Sequence, residues 1–213
     1  MPSSQPSPGT SAGRRRYVLG ITGGIASGKT TVMQMIARAG IPTVSSDDLA
    51  HQAIRKGEPA YRRILKRFGR GILCSSKQIC REDLGEIVFR NPDERRWLER
   101  QVHPVVIRKL KLFIHAHHGV MALDIPLLFE ARLRKLVDKT IVVYCSQVQQ
   151  VDRLQRRNRL SRREALRRIS SQMPLTAKRR RANIVLENTG SRAHLNRQLA
   201  ACLCMIRIDD VEE

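Results

Sequence analysis

Continuous apolar runs mark this chain at residues 17–22, 119–124, 140–144 and 184–186, with a weaker one at 41–45. Between them apolar side chains recur every three or four positions, as at Tyr61, Ile64, Leu65 and Phe68. The first pattern suits strands buried on both faces, the second helices with one face on a core. Helices are expected over 31–38, stopped by Gly40, and from Ser46 or Asp47 through Ile54. Others are expected at 61–68, 81–89, 128–136, 147–157, 161–171 and 192–206. Asn91-Pro92-Asp93-Glu94 is a further helix start, opening a segment that runs toward His115 with a kink near His103-Pro104. This alternation predicts an α/β fold, a doubly wound parallel sheet of about five strands. From about residue 71 to 118 strand signals vanish, which suggests an inserted helical substrate-binding subdomain.

The first apolar run leads into Gly23-Gly24-Ile25-Ala26-Ser27-Gly28-Lys29-Thr30, and the first helix follows at once. Glycine, four residues, then glycine, lysine and a hydroxyl residue, between strand and helix, is the P-loop pattern of a P-loop NTPase. Its backbone N–H groups point inward at a phosphate, and the helix N-terminus adds partial positive charge. Lys29 is expected to reach the β- and γ-phosphates, and the Thr30 hydroxyl to ligate Mg2+.

A net charge of +21 changes the picture next. Eight arginines lie between Arg153 and Arg168, and Lys178 to Arg181 adds four cations. Aromatic residues make up 4% of the chain and none interleaves with this block, which argues against base stacking on single strands. A polyanionic small substrate accounts for the block better, and an arginine-rich proteome accounts for the scattered remainder. The five cysteines fit no zinc spacing. Reduced thiols in a cytoplasmic protein are expected, with Cys145 in the core. His115, His117 and His118 read as a helix end, not a metal cluster. No stretch approaches the roughly 20 apolar residues of a membrane span. Residues 1–16 read as a disordered basic tail and 207–213 as an acidic one.

A P-loop alone does not choose among phosphotransferases, switches and motors. Further residues do: Gly40-Ile41-Pro42 leading to Asp47 and Ala50, Phe68-Gly69, Arg81 and Leu84, Val88-Phe89, His103-Pro104, and Asp124-Ile125-Pro126-Leu127-Leu128-Phe129-Glu130. Gln150, Arg153, Arg157, Gln172, Lys178, Ala182, Asn188 and Gly190 complete the series. In this order the chain resembles the dephospho-CoA kinase family from about Val18 to Leu199. The resemblance implies transfer of the ATP γ-phosphoryl group, with Mg2+, to the ribose 3′-hydroxyl of dephospho-CoA. It implies a kinase domain over 17–206, with a core at 17–56, 119–150 and 183–206. The acceptor-binding insertion takes about 57–118, and a helical Arg-rich lid about 151–182.

By the same resemblance Gly24, Ile25, Ala26, Ser27, Gly28, Lys29, Thr30, Thr31, Arg157, Asn188 and Gly190 bind the nucleotide. Lys29, Asp47 and Arg153 are the expected catalytic group, and Thr22, Asp47, Arg81 and His103 meet the acceptor. Asp47 accepts or orients the hydroxyl proton, or caps a helix, or both. Asp124 either orients Mg2+ through water or is a strand-end turn residue. His103 reads as an acceptor contact or as a satisfied histidine at a kink. Glu130 is suited to pairing with a cation. Three positions depart from the family pattern. Ser45 replaces an aspartate, Asn183 replaces another in a structural setting, and Ala26 replaces a glycine. Alanine is tolerated only if that position does not need a positive φ, and weak consequences are expected because the two framing glycines remain. Expected partners are ATP and dephospho-CoA, with no specific nucleic acid and no membrane, for a monomer or weak homo-oligomer. The alternatives are another small-molecule or nucleoside monophosphate kinase, and a nucleic-acid-stimulated ATPase.

Overall fold

The structure, a computed structural model, describes residues 15–209. Of the expected tails over 1–16 and 207–213, residues 1–14 and 210–213 lie outside the described residues; Arg16 instead opens the first strand and residues 207–209 belong to the last helix.

Five strands form one parallel sheet: β1 (Arg16–Gly23), β2 (Thr43–Ser45), β3 (Gly119–Asp124), β4 (Lys139–Tyr144) and β5 (Ile184–Glu187). Their order is β2-β3-β1-β4-β5, so the glycine loop leaves the central strand. Alternate residues of β1 serve opposite faces. Leu19 and Ile21 pack with Val32 and Ile36 of α1 (Lys29–Arg38) and with Leu195, Leu199 and Cys202 of α9 (Arg192–Asp209). On the other face Val18 joins Met121 and Leu123 under α2 (Ser46–Ala53) and α5 (Pro92–Ala116). The register sets Asp124 level with Ile21 on one side and Ser45 on the other, at the carboxyl ends of three neighbouring strands. Ligands of open parallel sheets gather at that edge.

Between α2 and β3 lie α3 (Pro59–Phe68), α4 (Arg81–Arg90) and α5. Ala60, Tyr61, Ile64, Ile72, Ile79 and Leu84 give α3 and α4 a core of their own. One short antiparallel bridge, Leu73 with Ile79, interrupts this otherwise helical stretch. The helix α5 runs unbroken through Pro104, giving up one main-chain hydrogen bond there. It joins the two regions, because Leu98 touches the α3–α4 core while Val102, Val106 and Leu110 pack on the sheet. At its C-terminus Arg16 donates to the His115 and His117 carbonyls at 3.2 and 3.3 Å, and the His117 Nδ1 lies 2.8 Å from Phe113 O.

The expected helix over 128–136 is reduced to a 3₁₀ turn at Leu133–Leu136. Arg132 at φ 56 breaks the helical path just before it. After β4 come α6 (Gln147–Asn158), α7 (Arg162–Ser170) and a short α8 (Leu175–Arg181). The Asn183 Oδ1 accepts from Thr140 N and Oγ1, each at 2.9 Å, joining β4 to β5; asparagine serves that structural place well. No helix among the described residues is long and apolar enough to cross a membrane.

Because Leu110 is fully buried where α5 meets the sheet, Leu110→Ala is expected to cost about 2–5 kcal/mol. Urea denaturation checks this, with loss of helical signal and of nucleotide protection in one transition.

Candidate active site

A main chain that presents N–H groups to an anion must place its carbonyls elsewhere. Here each loop carbonyl from Gly23 to Ser27 has a partner. Lys178 Nζ lies 3.5 Å from Gly23 O, and the Ser27 N–H donates to Gly24 O at 3.1 Å. Gln150 Nε2 donates to Ile25 O at 2.6 Å. Arg153 Nη1 reaches Ala26 O and Ser27 O, both at 3.2 Å, and Asn188 Nδ2 reaches Ser27 O at 2.7 Å. Gln172 Oε1 takes the Ile25 N–H at 3.1 Å. The N–H groups of Ala26, Gly28, Lys29 and Thr30 find no acceptor among the described residues, and the last two open α1. Such orphan donors at a helix start form an anion site.

Two loop conformations differ in cost. Gly28 has φ +99, and an added Cβ would lie 1.9 Å from Asn188 Nδ2. Only glycine fits. Ala26 corrects an expectation, since its φ is 58, in the left-handed region, not the negative φ that would make alanine easy. Such a residue costs roughly 1–2 kcal/mol. The loop tolerates it while Arg153 and the partly buried packing around Ala26 hold it.

Lys29 Nζ pairs with Asp124 at the edge of the sheet. Burial pushes the Asp124 carboxyl above its ordinary value, Lys29 opposes that, and Asp47 and Asp48 add to the rise. Ser45 caps α2, its Oγ accepting from Asp48 N at 3.3 Å. The departure from aspartate at this position therefore carries a capping role. It also removes capping from Asp47, whose exposed carboxylate makes no hydrogen bond or ion pair among the described residues.

Residues 23–31 line a cleft of about 860 Å³, with Asp47, Pro126, Asp152, Arg153, Arg156, Arg157 and Gln172 around it. A second cavity, of about 290 Å³, is mostly apolar: Val102, Val106, Ile125, Leu127 and Leu133 line it, together with His51, Glu99 and His103. Asp47 alone lines both. It stands where the two spaces meet.

Several expected residues lie elsewhere. Thr22 is fully buried and donates to Pro126 O at 3.0 Å, so it cannot meet an acceptor directly. Arg81 is exposed at the start of α4 and lines neither space, and Gly190 is exposed beyond β5 and also lines neither. Asn188 holds the loop from behind instead of walling the cleft. Arg153 does line the cleft, yet its guanidinium is committed to loop carbonyls and to Asn188 O at 2.8 Å. Glu130 pairs with Lys178 at 2.8 Å, the cation partner it is suited to. Sequence reasoning assigned no role to Gln150, Gln172 or Lys178, although all three fall in the matched series. It also passed over His51, whose position one turn after Asp47 on the same helix face was the available signal.

Comparison with known proteins places this geometry. A family profile described as dephospho-CoA kinase matches residues 17–194. The dephospho-CoA kinase of Bacillus licheniformis is 45% identical over 186 residues, 85% of this chain and 92% of that protein. Among solved structures, a Thermus thermophilus protein aligns with TM-score 0.77 and 36% identity over 90% of this chain and 98% of its own. Dephospho-CoA kinase from Campylobacter jejuni aligns with TM-score 0.68 and 26% identity over 91% and 98%.

Gly28→Ala is expected to distort the loop and weaken ATP binding by at least about tenfold. Titration calorimetry checks it, and unchanged affinity would show that the clash with Asn188 is relieved at no cost to the cradle.

Proposed function

This chain belongs to the dephospho-CoA kinase family, and from that premise we propose how its residues divide the work of the reaction. The enzyme phosphorylates the ribose 3′-hydroxyl of dephospho-CoA with ATP, giving coenzyme A and ADP, the last step of coenzyme A synthesis. The observation that carries the assignment of roles is the place of Asp47 at the junction of the cleft and the apolar cavity.

The triphosphate lies on the free loop N–H groups, between α1 and the arginines of α6. Lys29 leaves Asp124 for the phosphate oxygens. Asp124 is then a partly buried carboxylate near Asp47 and Asp48 with its cation gone, which would suit a hard divalent ion. Thr30 and Asp124 would hold the ion with the oxygen donors that Mg2+ prefers. Bound with ATP, the ion supplies neutralisation of charge on the phosphates. The nucleoside end of the acceptor fills the apolar cavity, which directs its 3′-hydroxyl at Asp47. Asp47 takes the hydroxyl proton as the O3′–Pγ bond forms and the bond from Pγ to the bridging oxygen breaks, releasing ADP. Arg153 acts from the cleft wall by holding the loop in shape, while Arg156 and Arg157 supply cations at the mouth. Gln150 and Arg153 of α6 and Lys178 of α8 stay on the loop, and the arginine-rich α7 between them closes over ATP as a lid, which excludes water as a competing acceptor. Five unpaired cysteines fit a cytoplasmic enzyme.

Asp47→Asn is expected to lower kcat by about 100-fold or more, with KM for ATP changed only a few-fold. The reverse split would make Asp47 a binding residue. Lys29→Ala is expected to abolish transfer while circular dichroism stays that of the native fold. A coupled ADP-release assay offering dephospho-CoA, nucleoside monophosphates and RNA tests the acceptor; preference for either of the latter would sink the assignment.

A further inference from the structure

Lysine is almost never fully buried unless its charge is matched. Lys178, on α8, has 0% exposure. Its ammonium carries three N–H donors, and three acceptors meet them: Glu130 Oε1 at 2.8 Å, Pro126 O at 2.6 Å and Gly23 O at 3.5 Å. Nothing is left to offer a ligand, although Lys178 stands first in a run of cations whose other three members are exposed. Burial pushes the ammonium pKa down and Glu130 holds it up.

The acceptors belong to the parts that must be held in register. Gly23 ends β1 and begins the loop that lines the donor cleft. Pro126 also lines that cleft, while its neighbours Ile125 and Leu127 line the acceptor cavity. The Pro126 carbonyl takes a second hydrogen bond from Thr22, the buried hydroxyl near the end of β1. Glu130 Oε1 further accepts from Met173 N at 3.0 Å, and the adjacent Gln172 holds the Ile25 N–H. One buried charge pair therefore joins the phosphate loop, the partition between the two cavities and the C-terminal root of the arginine-rich helices.

We propose that Lys178 is a positioning residue for phosphoryl transfer: it fixes the distance and angle between the donor loop and the acceptor cavity without touching either substrate. This rests on the transfer reading above. Small displacements of reacting groups can lower rates by about 100-fold, whereas binding of each substrate on its own side depends little on the partition.

A structural role alone must be separated from this one. Lys178→Met strands the Glu130 carboxylate in a buried site, so stability falls whatever else happens. Lys178→Met combined with Glu130→Gln removes both charges and keeps an acceptor for Met173. That double variant is expected to regain most of the lost melting temperature. Its kcat for dephospho-CoA stays about 10- to 100-fold below wild type, with both KM values within a few-fold. Lys178→Gln with Glu130→Gln, whose amide can still donate to the two carbonyls, is expected to recover part of that rate. Wild-type kcat in the methionine double variant overturns the proposal. So does failure of both double variants to fold, because the pair would then be purely structural. If wild-type enzyme itself does not phosphorylate dephospho-CoA, the transfer reading fails instead, and that control is run first.

Discussion

The glycine loop works only because its carbonyl oxygens are occupied. A peptide unit carries a donor and an acceptor in opposite directions, so turning N–H groups toward an anion turns carbonyls toward the protein. Gln150, Arg153, Asn188 and Lys178 receive them, and they come from α6, α8 and the turn after β5. The loop's shape is thus set from behind by elements more than a hundred residues away in sequence. Buried polar networks of this kind are costly when incomplete and rigid when satisfied. Rigidity is what a cradle for a triphosphate requires.

The same logic explains how the charges are distributed. Lys29 and Asp124 neutralise each other at the sheet edge, and Asp47 is left without a partner. A lysine that exchanges this carboxylate for a phosphate would keep its own charge matched on both sides of the binding step. The exposed arginines of α6 and α7 have no such constraint. Arg156 pairs with Asp152 at 2.9 Å on the surface, where an ion pair contributes little to stability. Their excess leaves positive charge along the cleft, which Arg156 and Arg157 line.

Much of the architecture was legible in the chain. Strand positions followed from apolar runs that only a sheet covered on both faces can bury, and most helix limits followed from glycine, proline and cap residues. The errors were local. The 128–136 segment became a 3₁₀ turn because Arg132 takes a left-handed conformation, which arginine does not announce. The short helix α8 was hidden in a block of cations, of which one points inward. Thr22 looked available because its sequence neighbourhood is functional; its hydroxyl is spent on Pro126.

For the site, spacing along the chain was enough to mark the loop, Lys29, Thr30 and the acid at the end of β3. Those residues take their places from local geometry: a turn, a helix start, a strand end. Which carboxylate stands free was decided elsewhere, since Ser45 rather than Asp47 caps α2 and two cavities happen to meet at Asp47. The same holds for Lys178, identical in sequence terms to the exposed cations beside it. Burial and partner choice depend on what packs from distant segments, and a one-dimensional pattern contains no measure of that distance.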